Sequence, residues 1–274
     1  MSSPGRRPAP PAAPVPAVLR LAQNAVMQRW RASGEALYRE VARITEVAAG
    51  SELLVAGSGD GAMAEWLAVR TGASVSGVDP DAEAVVAAEM QARQAGLEGQ
   101  LSFEEAPLDD LPHETGVFDA AVAEPALAAA ADPARAVAEL VRVTKPMGVV
   151  VLLQPTWSTL SVEAREPAVE RLGLRPFLLI EWKQMLRDAG VVEIDVQDWS
   201  DGGARRRSAS MAVIEPQLTW QNKAHIVSRA WRRWGWRAAR GAVERERQLL
   251  CELSRERALG FQLIRGVKWP HPRP

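Results

Sequence analysis

Leu53-Leu54-Val55-Ala56-Gly57-Ser58-Gly59-Asp60-Gly61-Ala62 decides the fold. A short apolar run leads into three glycines on alternate positions, and a helical pattern, Ala62–Thr71, follows and stops at Gly72. A buried strand, a tight loop and a helix are predicted in that order, because glycine alone lets the backbone turn this sharply and approach a ligand. Working outward, Ala73–Val78 reads as a second strand ending at Asp79. Asp81 caps a helix through Ala95 that Gly96 closes. Leu101–Glu104 and Val117–Ala123 read as further strands, and Asp132-Pro133 starts a helix through Thr144 that Pro146 stops. Val149–Leu153 is a continuous apolar strand, Glu181–Asp188 a helix closed by Gly190, and Val191–Val196 a strand.

Strands alternating with helices of this length predict an α/β fold, a doubly wound and mostly parallel sheet with helices on both faces. Ligands of such sheets bind beyond the carboxyl ends of the strands, at the switch point. The glycine loop, Asp79, Pro107–Pro112 and Glu124 all fall on that edge. Glycines before a helix, with an acid about twenty residues on at the end of the next strand, describe a nucleoside-cofactor site, in which Asp79 can accept both hydroxyls of a ribose. The spacing does not separate a dinucleotide fold from other nucleoside folds.

The flanking segments differ from this core. Residues 1–17 hold six prolines in the first sixteen positions and read as a disordered, extended tail or a docking arm rather than a secretory signal. Residues 18–50 read as two helices broken near Ser33-Gly34, the N-terminal helical lid. Residues 199–258 read as a helical insertion with a doubtful strand at Met211–Ile214, and residues 259–274 as the last strand (260–268) and a tail.

The chain has 274 residues, with 33 basic against 34 acidic, so no overall cationic field points to nucleic acid. A single cysteine, Cys251, excludes an intrachain disulfide and a cysteine zinc cluster, and no metal site is expected. No apolar stretch reaches the roughly 18 residues of a membrane span, so a cytoplasmic protein is expected, with peripheral membrane contact left open. All but four of the basic residues are arginines, and six of the ten tryptophans lie beyond residue 198. Lys223 to Arg240 carries six basic residues, no acid, and Trp231, Trp234 and Trp236. As a helix, it would pack its tryptophan face on the domain or a dimer partner, lie on an anionic membrane surface, or contact nucleic acid or an acidic protein.

LLVAGSGDGA (53–62) resembles the first motif of the class I S-adenosylmethionine-dependent methyltransferases. The likeness continues in Ser76–Ala82 (SGVDPDA), Leu111-Pro112, Val117-Phe118-Asp119, Asp132-Pro133, Ala138–Gly148 and Leu186–Gly190. The combination is similar to the subgroup of ubiquinone- and menaquinone-type small-molecule methyltransferases, over residues 37–198 and the closing strand. The resemblance implies a seven-stranded sheet with its last strand antiparallel, a SAM-binding core at residues 51–198, and S-adenosyl-L-methionine as cofactor. Gly57, Ser58, Gly59 and Gly61 would line its methionine and ribose, and Asp79 would bind the ribose hydroxyls. Pro80 and Asp81 would flank the adenine, the Leu108–Asp109 backbone would lie at its edge, and Glu124 would face the methionine end. The implied activity is methyl transfer to a small molecule, with lipid-soluble acceptors as one candidate class.

Val55 and Pro107 stand where the family has acids, Met147 where it has glycine, and the histidine common after the fourth strand is absent. These departures also fit a catalytically degenerate copy of the fold that serves as a structural or interaction subunit of a larger complex. Glu124 could replace the acid missing at Val55. No residue is singled out as catalytic: His113, His225, His271 and Tyr38 each have a plainer reading as loop or packing residues.

Overall fold

The computed structural model describes residues 34–158, 175–199 and 259–270, with single positions at 165 and 169. The proline-rich tail, the first N-terminal helix, the doubtful strand, the Trp–Arg segment, Cys251, His225 and His271 lie outside them.

The element order is α1 (Gly34–Thr45), β1 (Glu52–Ala56), α2 (Ala62–Thr71), β2 (Ser74–Asp79), α3 (Ala82–Ala95), β3 (Leu101–Glu105), β4 (Phe118–Ala123), a 3-10 turn (Pro125–Ala129), α4 (Pro133–Val143), β5 (Thr144–Trp157), β6 (Phe177–Leu178), α5 (Leu179–Asp188), β7 (Val191–Asp198) and β8 (Leu259–Lys268). One sheet runs β3-β2-β1-β4-β5-β8-β7. β8 is antiparallel to β5 and β7, and the remaining pairs are parallel. The chain reverses direction across the sheet between β1 and β4, which makes that crevice the switch point.

Two features depart from the sequence expectation. The sheet gains an eighth strand, because Phe177–Leu178 pairs with Thr156–Trp157. β5 runs from Thr144 to Trp157 rather than stopping at Leu153. Gln154, Pro155 and Thr156 end the apolar run, but β8 pairs with them as far as Leu259 and carries the strand past the core.

The helices begin and end where their caps dictate. The Asp81 carboxylate accepts the Glu83 N–H at 3.0 Å, and the Asp132 carboxylate accepts the Arg135 N–H at 3.0 Å with Pro133 next in chain. Gly72 and Gly96 close α2 and α3 in the left-handed conformation.

Alternate residues of β1, β4 and β5 serve two cores. Leu53, Val55, Val122 and Val151 pack beneath α1 and α2 with Leu37, Val41 and Leu67. Leu54, Ala121, Val150 and Leu152 pack on the other face with Leu140 and Trp182. α1 ends at the lower edge, where the Ile44 carbonyl accepts a bond from Arg265, and its Glu40 accepts one from Gln197 higher up. Gly34 therefore stands at the upper edge, as do Ser158, Arg175, Trp199 and Leu259.

Candidate functional site

The site grows from the carboxyl ends of β1, β2 and β4. Gly57, Gly59 and Gly61 all have positive φ, at 72°, 53° and 81°. Two of the three glycines are demanded by the protein itself. A Cβ on Gly57 would lie 2.7 Å from the Ala126 methyl group, and one on Gly61 would lie 2.8 Å from the Phe103 ring. Gly59 and Asp60 are the partly exposed residues of the loop, so they face the crevice.

The loop spends its N–H groups internally. Gly57 and Ser58 donate to the Val78 carbonyl at 2.7 and 3.1 Å, and Gly61 donates to the Ser58 carbonyl at 2.9 Å. Gly59 donates to Asp79 Oδ2 at 2.7 Å, and Asp81 donates to Asp79 Oδ1 at 2.9 Å. The Asp79 side chain, in a residue only 8% exposed, is thus fixed by two backbone donors at the end of β2. The N–H donors of Gly57, Ser58 and Gly61 are satisfied within the protein.

Glu124 follows β4 and is 1% exposed. Its N–H donates to the Ala56 carbonyl at 2.9 Å, which places it beside Gly57 in the switch-point crevice. Gln154 Nε2 donates to the Glu124 carbonyl at 2.9 Å. Gln154 escaped the sequence reading, and its only signal was an amide interrupting an apolar strand. Val55 is fully buried in the core under α1 and α2.

At the adenine edge of the expected site, Pro80 and Asp81 are exposed beyond β2. The Leu108 side chain is buried in the opposite core. The Asp109 carboxylate accepts the Asp132 N–H at 3.2 Å.

The structure separates His113 from these residues. Its ring meets the edge of Phe118, 5.0 Å between centroids, at the start of β4 and so at the opposite end of the sheet. Burial lowers its pKa. Tyr38 packs against Trp66, 5.9 Å between ring centroids, with Arg70 over the indole.

Residues 54–152 match the family model described as a methyltransferase domain. The core has the class I methyltransferase fold. The domain is 32% identical over 116 residues to the methyltransferase GfsG of Streptomyces halstedii, covering 42% of each chain. Over 145 residues it is 31% identical to a ubiquinone/menaquinone biosynthesis C-methyltransferase of Geobacter sp. (strain M21), covering 52% of this chain and 59% of that one. The chain thus spans about half the length of these curated relatives. The solved structure of the [4+2]-cyclase SpnF is similar with a TM-score of 0.66 and 25% identity, covering 86% of this chain and 81% of that one. Among the described residues, no helix is long and apolar enough to cross a membrane.

Proposed function

We propose that this chain uses S-adenosylmethionine to methylate a small molecule. The hydrogen-bond economy of the crevice carries this reading. A dinucleotide's pyrophosphate needs free backbone N–H groups at the loop and helix terminus. Here the N–H groups of Gly57, Ser58, Gly59 and Gly61 are already bonded within the protein, and the carboxylates of Asp79 and Glu124 stand at the same edge. S-adenosylmethionine suits that charge, since it offers a ribose diol, an ammonium and a sulfonium and no phosphate.

The residues present fit it. Asp79, at the end of β2, would take the ribose hydroxyls, and Gly59 would let the chain run close to the sugar. Glu124 would face the cationic amino-acid end. Pro80, Asp81 and the Leu108–Asp109 backbone would border the adenine. When bound, the cofactor supplies an electrophilic methyl group. The chain's own contribution is to orient the ligand and exclude water from the crevice.

No histidine among the described residues reaches the site, which favours an acceptor attacking through carbon, sulfur or an already activated oxygen. The likeness to a ubiquinone/menaquinone biosynthesis C-methyltransferase supports a lipid-soluble acceptor. The basic, tryptophan-bearing stretch 223–240 would suit contact with an anionic bilayer where such an acceptor resides.

Calorimetric titration of S-adenosylhomocysteine, with NADH as control, tests the site: micromolar binding of the first alone is expected. Silence with both at millimolar concentration would return the chain to a structural or interaction role. Transfer of a labelled methyl group to a panel of quinols then separates methyl transfer from the other chemistry this fold hosts.

A further inference from the structure

Gln154 is out of place in its strand. It follows five consecutive apolar residues, Val149–Leu153, and is fully buried. Its Nε2 donates to the Glu124 carbonyl, and its Oε1 has no hydrogen-bond partner among the described residues. The carbonyl it meets fixes which end of the amide is which, because a flipped amide would set oxygen against oxygen. A buried amide half satisfied is costly, and an aliphatic residue of the same shape would pack there without that cost.

The bond does something specific. β4 lies between β1 and β5. Just past its end, the Glu124 N–H is tied to β1 through Ala56, and the Glu124 carbonyl is tied to β5 through Gln154. One residue is thereby clamped from both neighbouring strands at the switch point. The segment that follows, Pro125–Ala129, is a 3-10 turn whose Ala126 sits against Gly57. No side chain caps this turn's start, so the Gln154 bond restrains the Glu124 peptide from the β5 side.

Resting on the reading of the crevice as a site for S-adenosylmethionine, we propose that Gln154 is a positioning residue. It locks the Glu124 peptide so that the buried Glu124 carboxylate meets the ammonium of the ligand's amino-acid end. A carboxylate held rigidly in a low-dielectric crevice favours a positive group there, and one free to swing would lose that preference.

Two ligands separate this from a general structural role. S-adenosylhomocysteine carries the ammonium, whereas methylthioadenosine has the same adenosine and sulfur without the amino acid. Both are titrated calorimetrically into the full chain, Glu124→Gln, Gln154→Met and the double variant. Each single variant should bind S-adenosylhomocysteine about tenfold or more weakly, the loss of a charge-assisted hydrogen bond, and methylthioadenosine within about twofold of the parent. The double variant should be no weaker than Glu124→Gln, because Gln154 acts through Glu124. Equal losses for the two ligands, or losses that multiply in the double variant, would overturn the proposal. Thermal melting checks each fold, and Gln154→Leu replaces Gln154→Met if that variant melts early. A parent chain that binds neither ligand overturns the cofactor reading and this proposal with it.

Discussion

The two edges of the sheet use charge in opposite ways. At the lower edge acids meet bases. Lys145 Nζ donates to Asp119 at 2.7 Å, while the other Asp119 oxygen accepts the Glu52 N–H at 2.9 Å. Arg142 grips Glu139 at 2.7 Å through two nitrogens and reaches the His113 and Leu111 carbonyls at 2.8 and 3.0 Å. Lys268 Nζ crosses from β8 to the Thr144 and Arg142 carbonyls at 2.7 and 3.1 Å. These groups sew the crossing after β3, the end of α4 and the last strand to one another. At the upper edge, Asp79 is held by backbone N–H groups and Glu124 through its own backbone. Charge at one edge closes the fold, and on the proposed reading charge at the other meets a ligand.

Asp79→Ala gives the largest expected effect and the sharpest test of that division. It removes both of the acceptors proposed for the ribose diol, so S-adenosylhomocysteine and methylthioadenosine alike should bind at least about a hundredfold more weakly. The Gly59 and Asp81 N–H groups lose their acceptor, so the melting free energy should fall by about 1–3 kcal/mol as well. If stability falls and the affinity for both ligands stays, the upper edge is only another fastening and the comparison fails.

Lys268→Met is the mirror experiment. Burial lowers the pKa of Lys268, with help from nearby Arg142, yet its ammonium still serves carbonyls at the end of α4 and the start of β5. Its loss should cost about 1–2 kcal/mol in chemical denaturation and leave ligand affinity within about twofold. Weakened binding in this variant would mean that the two edges are coupled through β8 and β5.

The glycine and aspartate punctuation explains how much of this was legible from the chain alone. Asp81, Gly72, Gly96 and Asp132 are local signals, and the helices they bound fall within a residue of their expected ends. The switch-point location of Asp79 and Glu124 followed from the alternation of strands and helices. What stayed hidden depends on contacts between distant residues. β5 runs to Trp157 because β8, more than a hundred residues later, pairs with it. His113 read only as a loop histidine, and its contact with Phe118 depends on the path of the crossing after β3. The silent N–H groups of the glycine loop depend on the Val78 carbonyl across the β1–β2 pair. Gln154 acquires meaning only when β4 ends beside it.

Acid titration probes the lower edge more gently. The Arg142 bond lowers the Glu139 pKa from its ordinary 4.5, against the burial that would raise it. At Asp119, burial also works upward, but the bonds from Lys145 and the Glu52 N–H prevail and lower it from 3.8. A lowered folded-state pKa means that the unfolded chain takes up protons first as pH falls. The stability these carboxylates contribute is complete above about pH 4.5 and drains away as pH drops through their folded-state values. Denaturation midpoints measured from pH 7 to pH 3 should show that decline, and Glu139→Gln should make it shallower while lowering the plateau by about 1 kcal/mol. A slope unchanged by Glu139→Gln would place the acid-sensitive groups elsewhere and weaken the picture of a lower edge closed by paired charge.

The smallest effect comes from a residue that fits neither role. Met147 lies on β5 between Pro146 and Gly148, with φ at 65° and 59% of its surface exposed. A left-handed conformation costs a residue with a Cβ about 1–2 kcal/mol, which glycine avoids. Glycine in turn leaves the unfolded chain freer by about 0.4–1 kcal/mol. An exposed side chain gives up little packing, so the difference should favour Met147→Gly by about 0.5 kcal/mol. The neighbouring Gly148 must stay glycine, because a Cβ there would stand 2.7 Å from the Asp119 carbonyl. A rise of one or two degrees in melting temperature, with ligand affinity unchanged, is the expected result. A fall instead would show that the methionine side chain contributes more in contacts than its backbone loses in strain.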